Sequence, residues 1–223
     1  MTTLRKVLYT LSLCLTFSLV LAAGVQAQVA QADLEQREGL WYDKDSETPY
    51  TGLVAEPDRM EGRMEAGKRV GEWVWYYPSG QREFLMVYDD EGQRVRAEGW
   101  HPNGNKDSER RFKDGQVDGV MRHWDHNGVL RQEHHFKAGQ PHGKDTLWDH
   151  NGALLYTATY VEGKLDGPAI WWYTDGQKRW ETLYAMGERT GTWAQYAPDG
   201  DLLMQSEWKD GSLVSRHNPH GNH

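Results

Sequence analysis

Beyond residue 38, apolar and polar side chains alternate in short runs, and a glycine-containing pair breaks the pattern every 11 to 13 positions. The 3.6-residue spacing of an amphipathic helix is missing from this part of the chain, so the pattern predicts strands joined by tight turns. The breaks are periodic. Gly80, Gly104, Gly128, Gly152, Gly176 and Gly200 stand 24 residues apart. A ring column keeps the same step through Tyr76, Trp100, Trp124, Trp148, Trp172 and Tyr196, and a second runs Tyr88, Phe112, Phe136, Tyr160, Tyr184 and Trp208. Further glycines recur at Gly67, Gly115, Gly139, Gly163, Gly187 and Gly211, and at Gly71, Gly119, Gly143, Gly167 and Gly191. The second unit departs from the pattern, with Glu91 and Val95 where the others carry glycine.

A fixed period of this length is the signature of a repeat architecture. Pairs such as Asn103-Gly104, Asn127-Gly128 and Asp175-Gly176 predict two-residue hairpin turns with positive φ. The later glycines, as in Asp114-Gly115 and Glu162-Gly163, turn the chain into the next hairpin. The expected fold class is therefore all-β, an elongated antiparallel sheet of stacked 24-residue β-hairpin repeats. About six hairpins and a partial first one occupy residues 49–214. At about 4.8 Å per strand they form a ribbon on the order of 60 Å long. No hairpin of this size is stable alone, so both ring columns are read as core, each ring stacking on its equivalent in the next repeat.

Residues 1–27 have a different pattern. Arg5 and Lys6 precede an apolar run from Val7 to Leu21, then small residues up to Ala27. This is the order of a secretory signal peptide cleaved after Ala27, with an uncleaved anchor as the alternative. The run is about 15 residues, short of the roughly 20 that span a bilayer. Residues 28–48 are expected to be an N-terminal linker or cap, and 215–223 a polar, histidine-containing tail. The predicted location is exported, periplasmic or secreted.

Composition narrows the function. The only cysteine, Cys14, lies in the leader, so the exported chain has neither a disulfide nor a thiol nucleophile. Cleavage leaves 23 basic against 33 acidic side chains, a balance that argues against nucleic acid as a partner. Serines such as Ser79, Ser108 and Ser212 lie in no nucleophile elbow, and no glycine loop precedes a helix that could cradle phosphate. The chain is expected not to be an enzyme and to carry no cofactor. His126 and His150 recur at equivalent turns roughly 10 Å apart, too far for one ion, and no metal site is expected.

Side chains one step off the ring columns point to the opposite face. Trp73, Trp75, Trp171 and Trp193 are read there, with Tyr77 and Tyr173 beside them. They are not periodic, since the middle repeats hold Met121, His123, Asp125, Asp145 and Asp149 at the equivalent places. Aperiodic rings on a periodic scaffold are candidate binding residues; the alternative is a second packed strip. A protein partner is expected first, with glycan or lipid as the alternative, and self-association through open sheet edges is a further possibility.

Segments such as Gly71-Glu-Trp-Val-Trp-Tyr-Tyr-Pro-Ser-Gly80 and Tyr160-Val-Glu-Gly-Lys-Leu-Asp-Gly167 resemble the bacterial MORN-repeat variant, including YwqK-type antitoxins. Gly39-Leu-Trp-Tyr and Pro49-Tyr-Thr-Gly52 are similar to the start of such proteins. The resemblance covers residues 39–214. It implies a MORN-like elongated antiparallel sheet used as an interaction surface, with protein or lipid partners and an antitoxin-like or immunity role.

Overall fold

The computed structural model describes residues 28–219. The expected leader, residues 1–27, lies outside them, as do His220 and His223 of the tail. A small hairpin of β1 (Leu34–Arg37) and β2 (Leu40–Asp43) precedes a long antiparallel meander. The meander opens with β3 (Gly52–Glu56), β4 (Met60–Glu65), β5 (Lys68–Tyr76), β6 (Arg82–Tyr88), β7 (Arg94–Trp100) and β8 (Lys106–Lys113). It continues through β9 (Gln116–Val117), β10 (Gly119–Trp124), β11 (Leu130–Lys137), β12 (Gln140–Trp148) and β13 (Leu154–Val161). It closes with β14 (Lys164–Leu165), β15 (Gly167–Trp172), β16 (Lys178–Ala185), β17 (Glu188–Tyr196), β18 (Leu202–Lys209) and β19 (Ser212–His217). The short strands β9 and β14 are the opening steps of β10 and β15, and β8 and β13 pair with both parts. The architecture is all-β, a long antiparallel sheet of consecutive hairpins, as the columns predict.

The two kinds of turn are the reverse of the expectation. At Asn103-Gly104 only the glycine has positive φ, at 87°. The Gly104 N–H donates to His101 O and the His101 N–H to Asn105 O, which makes a three-residue loop closed by a left-handed glycine. Aspartate or asparagine side chains secure these loops: Asp125 and Asp149 each accept two backbone N–H groups through Oδ1. The two-residue turns are at the other set of glycines, where the preceding residue is also left-handed: Ala66 at 46°, Asp114 at 51°, Ala138 at 47°, Glu162 at 50° and Met186 at 48°. A turn with positive φ at both centres matches the right-handed strand twist, and that match sustains a left-handed alanine at two of them.

Each repeat then carries bulges at fixed places. Opposite the first ring column the partner strand has one extra residue: Tyr76 pairs with Arg82 and Trp75 with Phe84, leaving Glu83 between. The same step bulges Asp107, Arg131, Leu155, Arg179 and Leu203. Because side chains alternate, one extra residue inverts the parity of every later position in the strand. The two ring columns therefore lie on opposite faces of the sheet, which corrects the reading of both as one core. Trp73, Trp75, Trp171 and Trp193 do face away from the first column, but they share a face with the second. Direct contacts show this, for Trp193 packs on Tyr184 and Trp208 at centroid distances of 5.4 and 5.3 Å.

The core gathers on this tryptophan face near the N-terminus. Val54, Met60, Met64, Trp73, Met86 and Ala97 are buried together with Leu34, which comes from the β1–β2 hairpin laid across them. Backbone bonds fasten the segment down, from Trp41 N–H to Gly67 O and from Ala55 N–H to Val29 O. Val29 bridges the outer edge of β3 in parallel fashion. At the other end β19 pairs only with β18, and all six of its residues are exposed.

Candidate functional site

On the opposite face the middle repeats carry a chain of ion pairs. Arg96 and Lys106 both reach Glu98, at 2.7 and 3.0 Å; Lys106 and Arg122 both reach Glu109, at 2.8 and 2.9 Å; and Arg122 continues to Glu133 at 2.7 Å. Lys106 also lies over the ring of Trp124, a member of the first ring column. Lys106 and Arg122 hold the Glu109 carboxyl below the ordinary carboxylate range against the opposing effect of burial. Every acid in this network has a cation, so the network stiffens the middle repeats and leaves little charge for a ligand.

On the tryptophan face the six candidate residues separate into three roles. Trp73 is fully buried, with its ring flat against Gly62, its Nε1 donating to Arg63 O and the Arg69 guanidinium 4.4 Å over it. It has no surface to offer a partner. Trp193 is half-buried between Tyr184 and Trp208 under Arg189, and its Nε1 donates to Leu183 O. For these two the packed-strip alternative describes the environment.

Tyr77 and Tyr173 are connectors between repeats. The bulge beside the first ring column frees a main-chain carbonyl, and the preceding repeat satisfies it: Tyr77 Oη donates to Trp100 O at 2.7 Å and Tyr173 Oη to Tyr196 O at 3.0 Å. His101 Nε2 meets Trp124 O at the equivalent place. Where Asp125 stands there and cannot donate, Arg131 Nε reaches Trp148 O instead.

Trp75 and Trp171 remain. They are equivalent positions four repeats apart, roughly 38 Å along the ribbon. Trp75 leans on Phe84, and Trp171 packs on Tyr156 at 4.8 Å while staying 36% exposed. Burial and the neighbouring tyrosines raise the Tyr156 hydroxyl, leaving it a protonated donor at neutral pH. Trp75 forms the wall of a cleft of 670 Å³ that also involves Tyr77, Glu83, Phe84, Trp100 and Asp107. A second cleft on its other side, of 550 Å³, is lined by Glu56, Asp58, Arg59, Met60 and again Glu83.

Glu83 and Asp107 carry no turn or ring signature, so the periodic columns of the sequence do not point to them. A 24-residue step through 83, 107, 131, 155, 179 and 203 reads Glu, Asp, Arg, Leu, Arg, Leu, a change of charge along the ribbon that is visible in the sequence. Among the described histidines, His126 and His150 are exposed at separate turns, His134 pairs with Asp145 at 2.8 Å, and His101 and His123 both lie 3.5 Å from Asp107. Among the described residues no three histidine or acidic side chains converge as metal ligands would.

Known proteins share parts of this geometry. Residues 69–90 and 117–138 match the MORN repeat variant. The two MORN-variant segments begin 48 residues apart, two periods of the repeat, and each spans a hairpin with its three-residue glycine loop. No curated protein matches the chain. Two solved structures show partial likeness. A complex of accessory secretory proteins 1, 2 and 3 from Streptococcus pneumoniae is 16% identical, with a TM-score of 0.30, over 57% of this chain and 22% of that one. A GtfA/B complex bound to UDP and GlcNAc is 15% identical, with a TM-score of 0.31, over 58% of this chain and 29% of that one. The chain thus spans under a third of either, and neither likeness bears on function.

Proposed function

We propose that this protein is an exported, non-enzymatic repeat scaffold that binds another protein through its tryptophan face. MORN repeats generally serve in scaffolds with binding roles, and the observation that carries the finer reading is the pair Trp75 and Trp171. Both stand on rigid strands at equivalent places of this face, where Trp73 is buried and Trp193 is packed between two rings. Large rings of this kind, held by their neighbours and open on one side, are the usual anchors of a protein interface. Export rests on the composition of residues 1–27. The resemblance to YwqK-type antitoxins extends the reading to an immunity role, in which the scaffold neutralises a protein outside the cytoplasm.

The test is a crosslinked pull-down from native envelope extract with the parent protein and with a Trp75→Ala/Trp171→Ala variant, read by mass spectrometry. One protein recovered by the parent and lost by a variant of unchanged circular dichroism supports the proposal. Recovery of glycan or lipid alone refutes it in favour of an envelope-binding module.

A further inference from the structure

We infer that the two adjoining clefts around Trp75 form a binding site for a basic, extended segment of the partner protein, its Lys or Arg side chains stacking on Trp75 between Glu83 and Asp107. This deepens the protein-scaffold reading and rests on it. Uncompensated charge is the starting point. On the ionic face Glu98, Glu109 and Glu133 are each within 3.0 Å of a Lys or Arg nitrogen. Around Trp75 the situation is the opposite. Among the described residues neither Glu83 nor Asp107 has a Lys or Arg partner, and Asp107 meets only the His101 and His123 rings, each at 3.5 Å. Across Trp75, Asp58 also lacks a cation and Glu56 meets only the exposed Arg59 at 3.7 Å.

A cluster of carboxylates with few cationic partners is a solvated surface by default. Here two further features point to a cation. Glu83 and Asp107 are the bulged residues of successive hairpins, so each is displaced from the ladder beside an open ring wall of Trp75 and Tyr77. Aromatic faces flanked by carboxylates attract a guanidinium or ammonium by quadrupole and charge together. The floor is also kept low, since a Cβ on Gly99 would stand 2.8 Å from Ser108 Oγ and 3.2 Å from Asp107 Oδ2.

The equivalent place at the other end of the ribbon is a natural control. There Trp171 replaces Trp75, Trp180 replaces Phe84, and the two bulged residues are Arg179 and Leu203. Arg179 lies 5.7 Å over Tyr173, so this place already holds its own cation. With one cation and one leucine in place of two carboxylates, the C-terminal place does not suit a basic segment, and the N-terminal cleft does. The acidic net charge of the molecule steers such a partner towards it.

The measurement is a tryptophan-fluorescence titration of the purified protein with a short peptide of alternating Lys and Gly, beside the matching Glu/Gly peptide. The Lys peptide is expected to bind, more weakly as salt rises, and the Glu peptide not to bind. Glu83→Gln/Asp107→Asn should weaken binding about tenfold, and Arg179→Glu should leave it unchanged or strengthen it. Because Glu83 is exposed, Glu83→Lys alone serves as a second variant should the double one misfold. Equal binding of both peptides, equal affinity in the neutralised variants, or no binding of the Lys peptide overturns the inference. Capture of a partner that depends on Trp75 and Trp171 but is indifferent to Glu83 and Asp107 would retain the scaffold and remove this site alone.

Discussion

Replacing Trp73 by alanine tests the placement of the core. The ring is fully buried, covers Gly62 so closely that a Cβ there would lie 2.2 Å from the ring, and lies under Arg69. Truncation removes the transfer energy of the ring and leaves a cavity, which for a buried aromatic costs about 3–5 kcal/mol. It also strands the Arg63 carbonyl, which the indole Nε1 serves at 3.1 Å, adding about 1 kcal/mol. Gly62→Ala on its own should cost about 1–3 kcal/mol by forcing the ring outward. The double variant should cost less than the sum of the two, since the new methyl enters the space the ring vacates. Urea denaturation monitored by far-ultraviolet circular dichroism measures all four species. A ribbon whose repeats contact only their neighbours need not unfold in one step, so the early transition should shift while the later one holds. A Trp73→Ala cost below about 1 kcal/mol, or strict additivity with Gly62→Ala, would refute this packing and make Trp73 a surface ring again.

Trp171→Ala, by contrast, should lower stability by no more than about 1 kcal/mol in the same denaturation while reducing partner recovery, because its ring is partly in solvent. Tyr77→Phe and Tyr173→Phe should each cost about 1 kcal/mol from the freed carbonyl of the next repeat, with partner recovery unchanged; a loss of binding without a loss of stability would make them contacts after all. Ala138→Gly should raise the urea midpoint, equivalent to about 1 kcal/mol, by relieving a left-handed alanine at 47°. Asp145, 2.8 Å from the His134 ring, raises the His134 pKa above its ordinary 6.5 in the folded chain. The charged form is therefore favoured by folding, so this contribution is complete below pH 6.5 and disappears as pH rises through the raised folded value. Thermal melts between about pH 5.5 and 8.5 should show that decline in the parent and not in Asp145→Asn.

The repeat, its period and its all-β character were legible because backbone turns demand particular residues. A left-handed position in a tight turn selects glycine, and a glycine every 24 residues therefore exposes the hairpins without any knowledge of packing. Which turn was which was less legible. Asn103-Gly104 is compatible with two loop lengths, and the difference is one residue of register that the strands settle, not the dipeptide.

That single residue explains the rest of what was hidden at the level of sequence. The bulges at Glu83, Asp107 and their equivalents invert side-chain parity, so two ring columns that look alike in the sequence belong to opposite faces. Trp73 and Trp75, two positions apart and apparently equal candidates, differ because the β1–β2 hairpin and Gly62 close over one and leave the other beside a cleft. Composition and period determined the hairpins through local backbone preference. Face, burial and unpaired charge were decided only by tertiary structure, because each depends on which strand lies opposite and on what chain from outside the repeat covers it.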